Sequence, residues 1–333
     1  MESSARNVAA IGLLALAACS GAPVRDAPLA GDNVAPGISV LRGVFVSGAQ
    51  PDGNTVLLRA PGGLIVVDSG RHAAHTQRIL SAAQAAGLPI AAIINTHWHL
   101  DHVAGNAMLR AAYPRSEVHA SDAIRGALDG FLADYRQQLL QAIAQAPAGG
   151  QQVATWRAEV ARIDAGERLL PTRPITAAGD TVIAGRRLRL GLQDNAVSGG
   201  DVWLFDPASR VLVAGDLVTL PVPLFDTACP QGWREALDRL QAQPFDLLVP
   251  GHGAPLSRAQ FDRYRAAFGN LLSCAAGEAG KPACIDAWLR DAQDLFPASE
   301  IPLARASLDY YLDVLRAPDA RLAKQYCRAG GTA

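Results

Sequence analysis

The chain has 333 residues, half of them hydrophobic, and a formal net charge of −1. That is material for one large core or two small ones. Neither sign of charge forms a long run, which excludes the basic footprint of a nucleic-acid binder and electrostatic attachment to anionic lipid.

Arg6 precedes "VAAIGLLALAA" (8–18), an apolar stretch too short to span a bilayer and of signal-peptide length. It runs through "LAAC" into Cys19, and this resembles the bacterial lipobox, whose cysteine is lipidated and becomes the mature N-terminus. The expectation is a signal peptide over residues 1–18, export, and a lipid anchor on Cys19 at the periplasmic face of a bacterial membrane. A plain cleaved signal is the alternative, because Glu2 offsets Arg6. Residues 19–36, rich in Gly, Pro and Ala and without periodicity, read as a flexible tether.

Strand-like runs follow at 37–48, 54–60 and 63–70, separated by Gly, Pro and Asn turns as in a β-meander. Residues 73–87 read as an amphipathic helix ended by Gly87, with Pro89 preventing its continuation. "PIAAIIN" (89–95) is a short buried strand. It leads into "NTHWHLDHVAGN" (95–106), which holds three of the chain's seven histidines. If the chain stays extended past Asn95, alternate side chains share a face. His97, His99 and Asp101 then point one way, and His102 turns in where the chain bends. Imidazole and carboxylate suit zinc and its borderline neighbours, so the run reads as a metal site.

"SEVHA" (116–120) is another short strand, and 121–165 is helical: Phe131, Tyr135, Leu139 and Ile143 recur at four-residue intervals, with "APAGG" (146–150) dividing the stretch into two helices. Strands return at 181–192, 201–206 and 210–216, a helix covers 232–242, 245–253 is strand then turn, and helices fill most of the remainder. Asp216 and His252 each sit where a strand ends in a glycine turn, "RVLVAGD" and "LLVPGHG". Alone, either residue is more simply a cap or a structural group. His72 and His75 read as the start of a surface helix, and His119 as core or edge. Trp98, Pro221, Pro223, Leu224 and Phe225 are packing residues that could line an apolar mouth. In an exported chain Cys229, Cys274, Cys284 and Cys327 form an even set with three pairings open, and Cys274 with Cys284 is favoured by proximity. Neither a dinucleotide-binding G-x-G-x-x-G after the first strand nor a serine-hydrolase G-x-S-x-G is present.

Together "THWHLDH", "AGD" and "PGHG", in that order and at these separations, resemble the metallo-β-lactamase superfamily. The resemblance implies an α+β, four-layer αβ/βα sandwich over 37–256 with a helical insert at about 121–165, and leaves 257–333 as a helical extension packed on it. It implies that His97 and His99 bind a first zinc, that Asp101, His102 and His252 bind a second, and that Asp216 bridges them. Asp68, in "GLIVVDSG", would support a ligand from behind. One position departs from the family: Val197, in "NAVSGGDVWLF", stands where a further histidine of the first site is usual, with Asp194 and Asn195 nearby. The second site is therefore expected to be the tighter one, with one or two zinc ions bound in all.

The missing histidine argues against an iron dioxygenase, and the bridging Asp216 against a true β-lactamase. What the resemblance implies is hydrolysis of an ester, thioester or lactone of a small molecule by metal-activated water, with Asp101 or Asp216 orienting the nucleophile. The alternative is a periplasmic metal-binding or relay protein with a degenerate site and little or no turnover.

Overall fold

The computed structural model describes residues 28–45, 50–147, 149–317 and 327. The expected signal peptide, Cys19 and most of the tether lie outside the described residues. Its first sheet orders β1 (Asp32–Ala35), β2 (Ile38–Leu41), β3 (Thr55–Ala60), β4 (Gly63–Val67), β5 (Ile90–Ile94), β6 (Glu117–Ala120) and β7 (Arg173–Pro174) side by side in chain order. The second sheet runs β8 (Gly179–Ile183), β9 (Arg186–Gln193), β10 (Asp201–Asp206), β11 (Val211–Thr219), β12 (Leu247–His252) and β13 (Leu256–Ser257), also in chain order. β4–β5, β5–β6, β6–β7 and β11–β12 are parallel pairs; the other pairs are antiparallel.

Alternation along the strands makes the layers. Val56, Leu58, Ile65, Val67, Ala92 and Ile94 face inward and pack against Leu188, Leu190, Val202, Leu204, Val211, Val213 and Val249 of the other sheet. The intervening Leu57, Leu64, Val66 and Ile93 face outward and are covered by α1 (Ala73–Ala85) and, after the short turn α2 (Leu100–Val103), by α3 (Asn106–Ala112). Each fully buried Leu or Ile contributes about 1.5–3 kcal/mol. An insertion follows, α4 (Ala123–Asp129), α5 (Phe131–Gln145) and α6 (Gln151–Ile163), which packs Ile124, Leu132, Leu139 and Ile163 against Trp98, Leu100 and Val103 beside the histidine motif. Over the outer face of the second sheet lie α7 (Pro230–Gln241), α8 (Arg258–Ala276), α9 (Lys281–Asp291) and α10 (Ile301–Arg316), with Trp233, Tyr264, Phe268 and Trp288 against Phe205, Leu212 and Leu248. This is the expected α+β four-layer sandwich. No helix among the described residues is long and apolar enough to cross a membrane.

Four local expectations are corrected. The last residues of the stretch read as tether form β1, which pairs antiparallel with β2, while Leu29 is buried against the first sheet. The Pro36–Gly37 turn between β1 and β2 had the composition of a linker. The run 181–192 is a hairpin, not one strand, because Ala184 and Gly185 both take positive φ (48° and 82°) and reverse the chain. The insertion has a third helix, since the backbone at Gly130 (φ −116°, ψ −105°) leaves helical geometry. The chain also does not stay extended past Asn95: β5 ends at Ile94 and α2 begins at Leu100.

Two disulfides tie the extension, Cys274–Cys284 and Cys229–Cys327, with sequence separations of 10 and 98. Chain entropy assigns a bridge over about 100 residues roughly 4.7 kcal/mol, and one over about 15 residues roughly 3 kcal/mol. Replacing Cys229 and Cys327 by Ser should therefore lower the unfolding free energy by about 1–2 kcal/mol more than replacing Cys274 and Cys284. Denaturant titration of the two double variants checks the order.

Candidate metal centre

The ends of strands from both sheets meet at one point. β5 delivers His97 and His99 on the irregular segment after it, and the helical turn α2 then carries Asp101 and His102 back toward them. His252 ends β12, as expected, but Asp216 does not close a strand: it lies within the parallel neighbour β11, which runs on to Thr219. Their approach depends on Gly251, where a Cβ would stand 1.9 Å from Asp216 Oδ1. The six residues expected as ligands are thus brought together, although Asp101 and His102 arrive on a helical turn and not on an extended strand.

They form two triads, His97/His99/Asp216 and Asp101/His102/His252, each with one ligand atom per residue within 4.8 Å of the others. Asp216 lies between them. Its Oδ2 is 3.7 Å from His97 Nε2, and its Oδ1 is 3.2 Å from His102 Nε2 and 3.6 Å from His252 Nε2. Asp101 Oδ2 is 3.0 Å from His252 Nε2 and 3.5 Å from His102 Nε2. His97 Nε2, His102 Nε2, His252 Nε2 and Asp216 Oδ1 are all buried without an aligned hydrogen-bond partner. Four inward polar atoms left so would cost several kcal/mol in total, since each unmade bond costs about 1–3 kcal/mol. Nitrogen and carboxylate oxygen around one centre are the donor set of zinc, so the residues fit a divalent metal.

The outward ring atoms fix which nitrogen faces inward. Asp68 accepts from His102 Nδ1 (2.7 Å) and from the Thr96 backbone N–H and hydroxyl (both 2.8 Å), leaving His102 Nε2 for a metal. The Thr96 hydroxyl proton is spent on Asp68, so at 3.1 Å that oxygen accepts from His97 Nδ1, again leaving Nε2. Thr227 donates its one hydroxyl proton to the Val197 carbonyl (2.9 Å) and must accept from His99 Nε2 (2.8 Å), so His99 presents Nδ1. Such partners orient a ligating imidazole and raise its basicity.

Burial disfavours charge throughout the cluster. It pulls His97 well below the ordinary imidazole value and lowers His99. Burial acts the same way on His102 and His252, yet the facing carboxylates, Asp216 foremost, raise both. Burial would raise Asp101 and Asp216; His102 and His252, with Arg71 beside Asp101, hold both carboxyls low instead. Burial prevails at Asp68, whose carboxyl is raised. Protons on His102 and His252 and a divalent cation would therefore compete for the same carboxylates.

Several supports had no sequence signal beyond turn composition. Gly53 backs the His102 ring, where a Cβ would meet Cε1 at 2.4 Å, and its N–H donates to the Asp101 carbonyl at 3.0 Å. Asn54 donates through its backbone to Gly251 and through its side chain to the Pro250 and Gly253 carbonyls, gripping the His252 turn from the first sheet. Asp52 accepts from Arg71 N, His72 N and His72 Nδ1. His75 is buried, not on the surface, with Nε2 2.8 Å from the Thr55 hydroxyl. His119 stands in β6, 3.4 Å from Glu117. Val197 is buried among apolar residues, Asp194 is exposed, and Asn195 is half-buried, so neither triad gains a further ligand from that strand end.

A cavity of about 420 Å³ opens over the centre. His99, Asp101 and Asp216 lie on its wall with Trp98 and Leu224, the insertion contributes Phe131, Leu132 and Tyr135, and α10 contributes Ser307 and Tyr311. Phe225 is in the core instead.

The ligand count sets an order of affinity. With Asp216 shared, the Asp101/His102/His252 triad has four protein ligands and the other has three. His102→Ala and His252→Ala should each abolish tight zinc retention on dialysis, while His97→Ala should leave about one equivalent. Equal loss from all three would show that the two triads are not independent. Asp68→Ala should cost about 10–100-fold in zinc affinity, by equilibrium titration, because it frees the His102 ring and releases the Thr96 hydroxyl that orients His97.

A family model described as the metallo-beta-lactamase superfamily matches residues 50–252. A linear primary-alkylsulfatase of Pseudomonas sp. is 26% identical over 219 residues, covering 60% of this chain and 41% of that protein, so this chain spans less than half of that relative's length. A hydroxyacylglutathione hydrolase of Synechococcus sp. is 52% identical over 44 residues, 13% of this chain and 18% of the relative. Among solved structures, a metallo-beta-lactamase from Pontibacter korlensis superposes with a TM-score of 0.51 at 17% identity, over 73% of this chain and 100% of the other. A double mutant of the sec-alkyl sulfatase PisA1 gives 0.54 at 16% identity, over 84% of this chain and 52% of the other. At such identities the structural likeness shows the fold alone, whereas the family model covers well over half of the chain and both triads: the protein belongs to the metallo-beta-lactamase superfamily.

Proposed function

We propose that the protein is a metal-dependent hydrolase of an ester-class bond (ester, thioester or lactone) in a small molecule. The observation that carries this reading is the placement of two His/Asp triads on the wall of a cavity large enough for a substrate. A divalent cation held by such ligands would lower the pKa of bound water to about 7 and polarise an oxygen of the bond to be cleaved. The chain's own residues do the rest. Asp101 and Asp216 reach the cavity and offer carboxylate oxygens that orient a nucleophile and accept its proton. Asp68, Thr96 and Thr227 hold the three imidazoles of the motif in fixed tautomers. Trp98, Phe131, Leu132 and Leu224 exclude bulk water. The names of the relatives support the thioester arm and add a sulfate ester to the classes worth assaying.

Export with a lipid anchor on Cys19 belongs to the same proposal. It is supported by "LAAC" after the apolar stretch 8–18 and by disulfides suited to an oxidising compartment. One observation favours the second reading, a metal-binding or relay protein with little turnover: Val197 leaves the His97/His99/Asp216 triad without a further imidazole.

Zinc-reconstituted soluble protein assayed on ester, thioester, lactone and sulfate-ester panels should hydrolyse at least one class. Chelation should abolish the activity, zinc should restore it, and Asp216→Asn should lower kcat/KM by about 100-fold or more. Stoichiometric zinc without turnover on any panel would favour the relay reading. Val197→His tests the gap separately. A buried imidazole without a partner should lower the stability of the zinc-free variant by about 1–3 kcal/mol. Zinc should recover that loss and raise the bound metal toward two per chain. Thermal melts with and without zinc check this, and no recovery would mean that position 197 does not face the centre.

A further inference from the structure

We propose that Arg71 is the anion-recognition residue of the cavity. It takes an oxyanion of the substrate (a carboxylate, sulfate or phosphate) beside the metal centre, and Glu159 of the helical insertion aims it there. The proposal deepens the hydrolase reading by naming a substrate class, and it rests on the cavity being the substrate site.

Arg71 is held on three sides. Its backbone N–H donates to Asp52 Oδ1 (2.7 Å), Nε donates to the Pro51 carbonyl (3.2 Å), and Nη1 donates to Glu159 Oε2 (2.7 Å). On the fourth side Nη2 makes no hydrogen bond but forms a long ion pair with Asp101 Oδ1 (3.5 Å), and it is there that the side chain lines the cavity. The clamp itself is buried. Glu159 is 2% exposed although it projects from a helix of the insertion. Its other oxygen pairs with Arg162 Nη1 at 2.5 Å, and Arg162 Nε donates to the Arg71 carbonyl at 2.8 Å.

The charges around this cluster do not balance once a metal is bound. Two guanidinium groups share the single carboxylate of Glu159. Asp101 supplies the second negative charge through Oδ1, while its Oδ2 faces His102 and His252; a cation held there would draw on the same carboxylate and weaken its pairing with Arg71. An arginine that is largely desolvated, with one N–H edge held only by a long ion pair at the cavity wall, can take a further anion there, and its planar fork suits carboxylate, sulfate or phosphate oxygens. Among the described residues lining the cavity Arg71 is the one with a permanent positive charge. The carboxylate of Asp226 also lines the cavity, bonded to the Tyr311 hydroxyl at 2.6 Å, and it repels an anion from that wall. Trp98, Phe131, Leu132 and Leu224 give the wall an apolar stretch, beside the polar Gln50, Tyr135 and Ser307. The fitting ligand is therefore an amphiphile with its anionic group at Arg71 and its apolar body along the insertion.

A strut that merely ties the insertion to the first sheet would need the contacts of Arg71 to Pro51 and Glu159 and not its Nη2 edge at the cavity wall. Calorimetry on zinc-loaded protein with octanoate and its neutral isostere octanamide separates the roles without requiring turnover. Wild type should bind octanoate at least 10-fold more tightly than octanamide. Arg71→Gln should remove that preference while leaving octanamide affinity and zinc content unchanged. Glu159→Gln should weaken octanoate binding about 3–10-fold, and it should add nothing in the Arg71→Gln background. Octanoate affinity unchanged in Arg71→Gln would overturn the proposal, because the metal alone would then hold the anion. Loss of zinc, or equal weakening of both ligands, would also overturn it by showing a structural role. If Arg71→Gln does not fold, Arg71→Lys decides: it should keep a weaker preference for octanoate, and unchanged affinities for both ligands would count against recognition by the fork. An Arg71-dependent preference in a protein inactive on every ester-class panel would leave this proposal standing and defeat the hydrolase reading.

Discussion

The structure depends on a conflict at its centre: polar atoms are buried where two sheets meet, close to facing carboxylates but without a well-aligned hydrogen bond. His97, His102 and His252 each turn an Nε2 toward the carboxylates of Asp101 and Asp216, shut off from water and without aligned partners. Elsewhere a protein interior avoids such an arrangement, because unpaired buried polar groups cost more than a made hydrogen bond returns. Here the surroundings are spent on keeping those atoms inward. Asp68, Thr96 and Thr227 occupy the opposite sides of three rings, and Gly53 presses on His102 from behind. A cation resolves the conflict in a way that rearranging the side chains cannot.

The four-layer sandwich serves this centre by delivering strand ends. One sheet brings the histidine motif, the other brings Asp216 and His252, and Asn54 bonds across the seam so that the two contributions keep their spacing. The insertion and the C-terminal helices then build walls over the ligands, which turns an exposed strand-end site into a cavity. Recognition and metal binding thus come from different parts of the chain. The sandwich supplies the ligands; the insertion supplies the apolar wall and, through Glu159, the setting of Arg71.

Much of this was legible in the sequence because it is written in local pattern. The short apolar runs of β3, β4 and β5, the helix from 73 onward and the H-x-H-x-D-H spacing are all properties of a few adjacent residues. Asp216 and His252 were recognisable only in combination with that motif, since an aspartate or a histidine at a glycine turn has ordinary structural uses. What escaped is long-range. Thr227 is 128 residues from His99, Asn54 is 196 from Pro250, and Glu159 is 88 from Arg71, so no local pattern could announce these pairs. The helical turn that carries Asp101 and His102 was missed for a different reason: extended and bent chains can both bring those side chains together, and alternation cannot tell them apart. Burial of His75 likewise rests on Thr55, a partner on another strand.

The central claim is that these six side chains form one metal-binding unit, with imidazole and carboxylate as the only protein donors. X-ray absorption at the zinc edge, on protein loaded to one equivalent and freed of excess metal, tests it most directly. The account predicts a coordination shell of nitrogen and oxygen near 2.0–2.1 Å with outer-shell scattering from at least two imidazoles. A sulfur shell near 2.3 Å, or zinc that washes away without any imidazole signature, would contradict it.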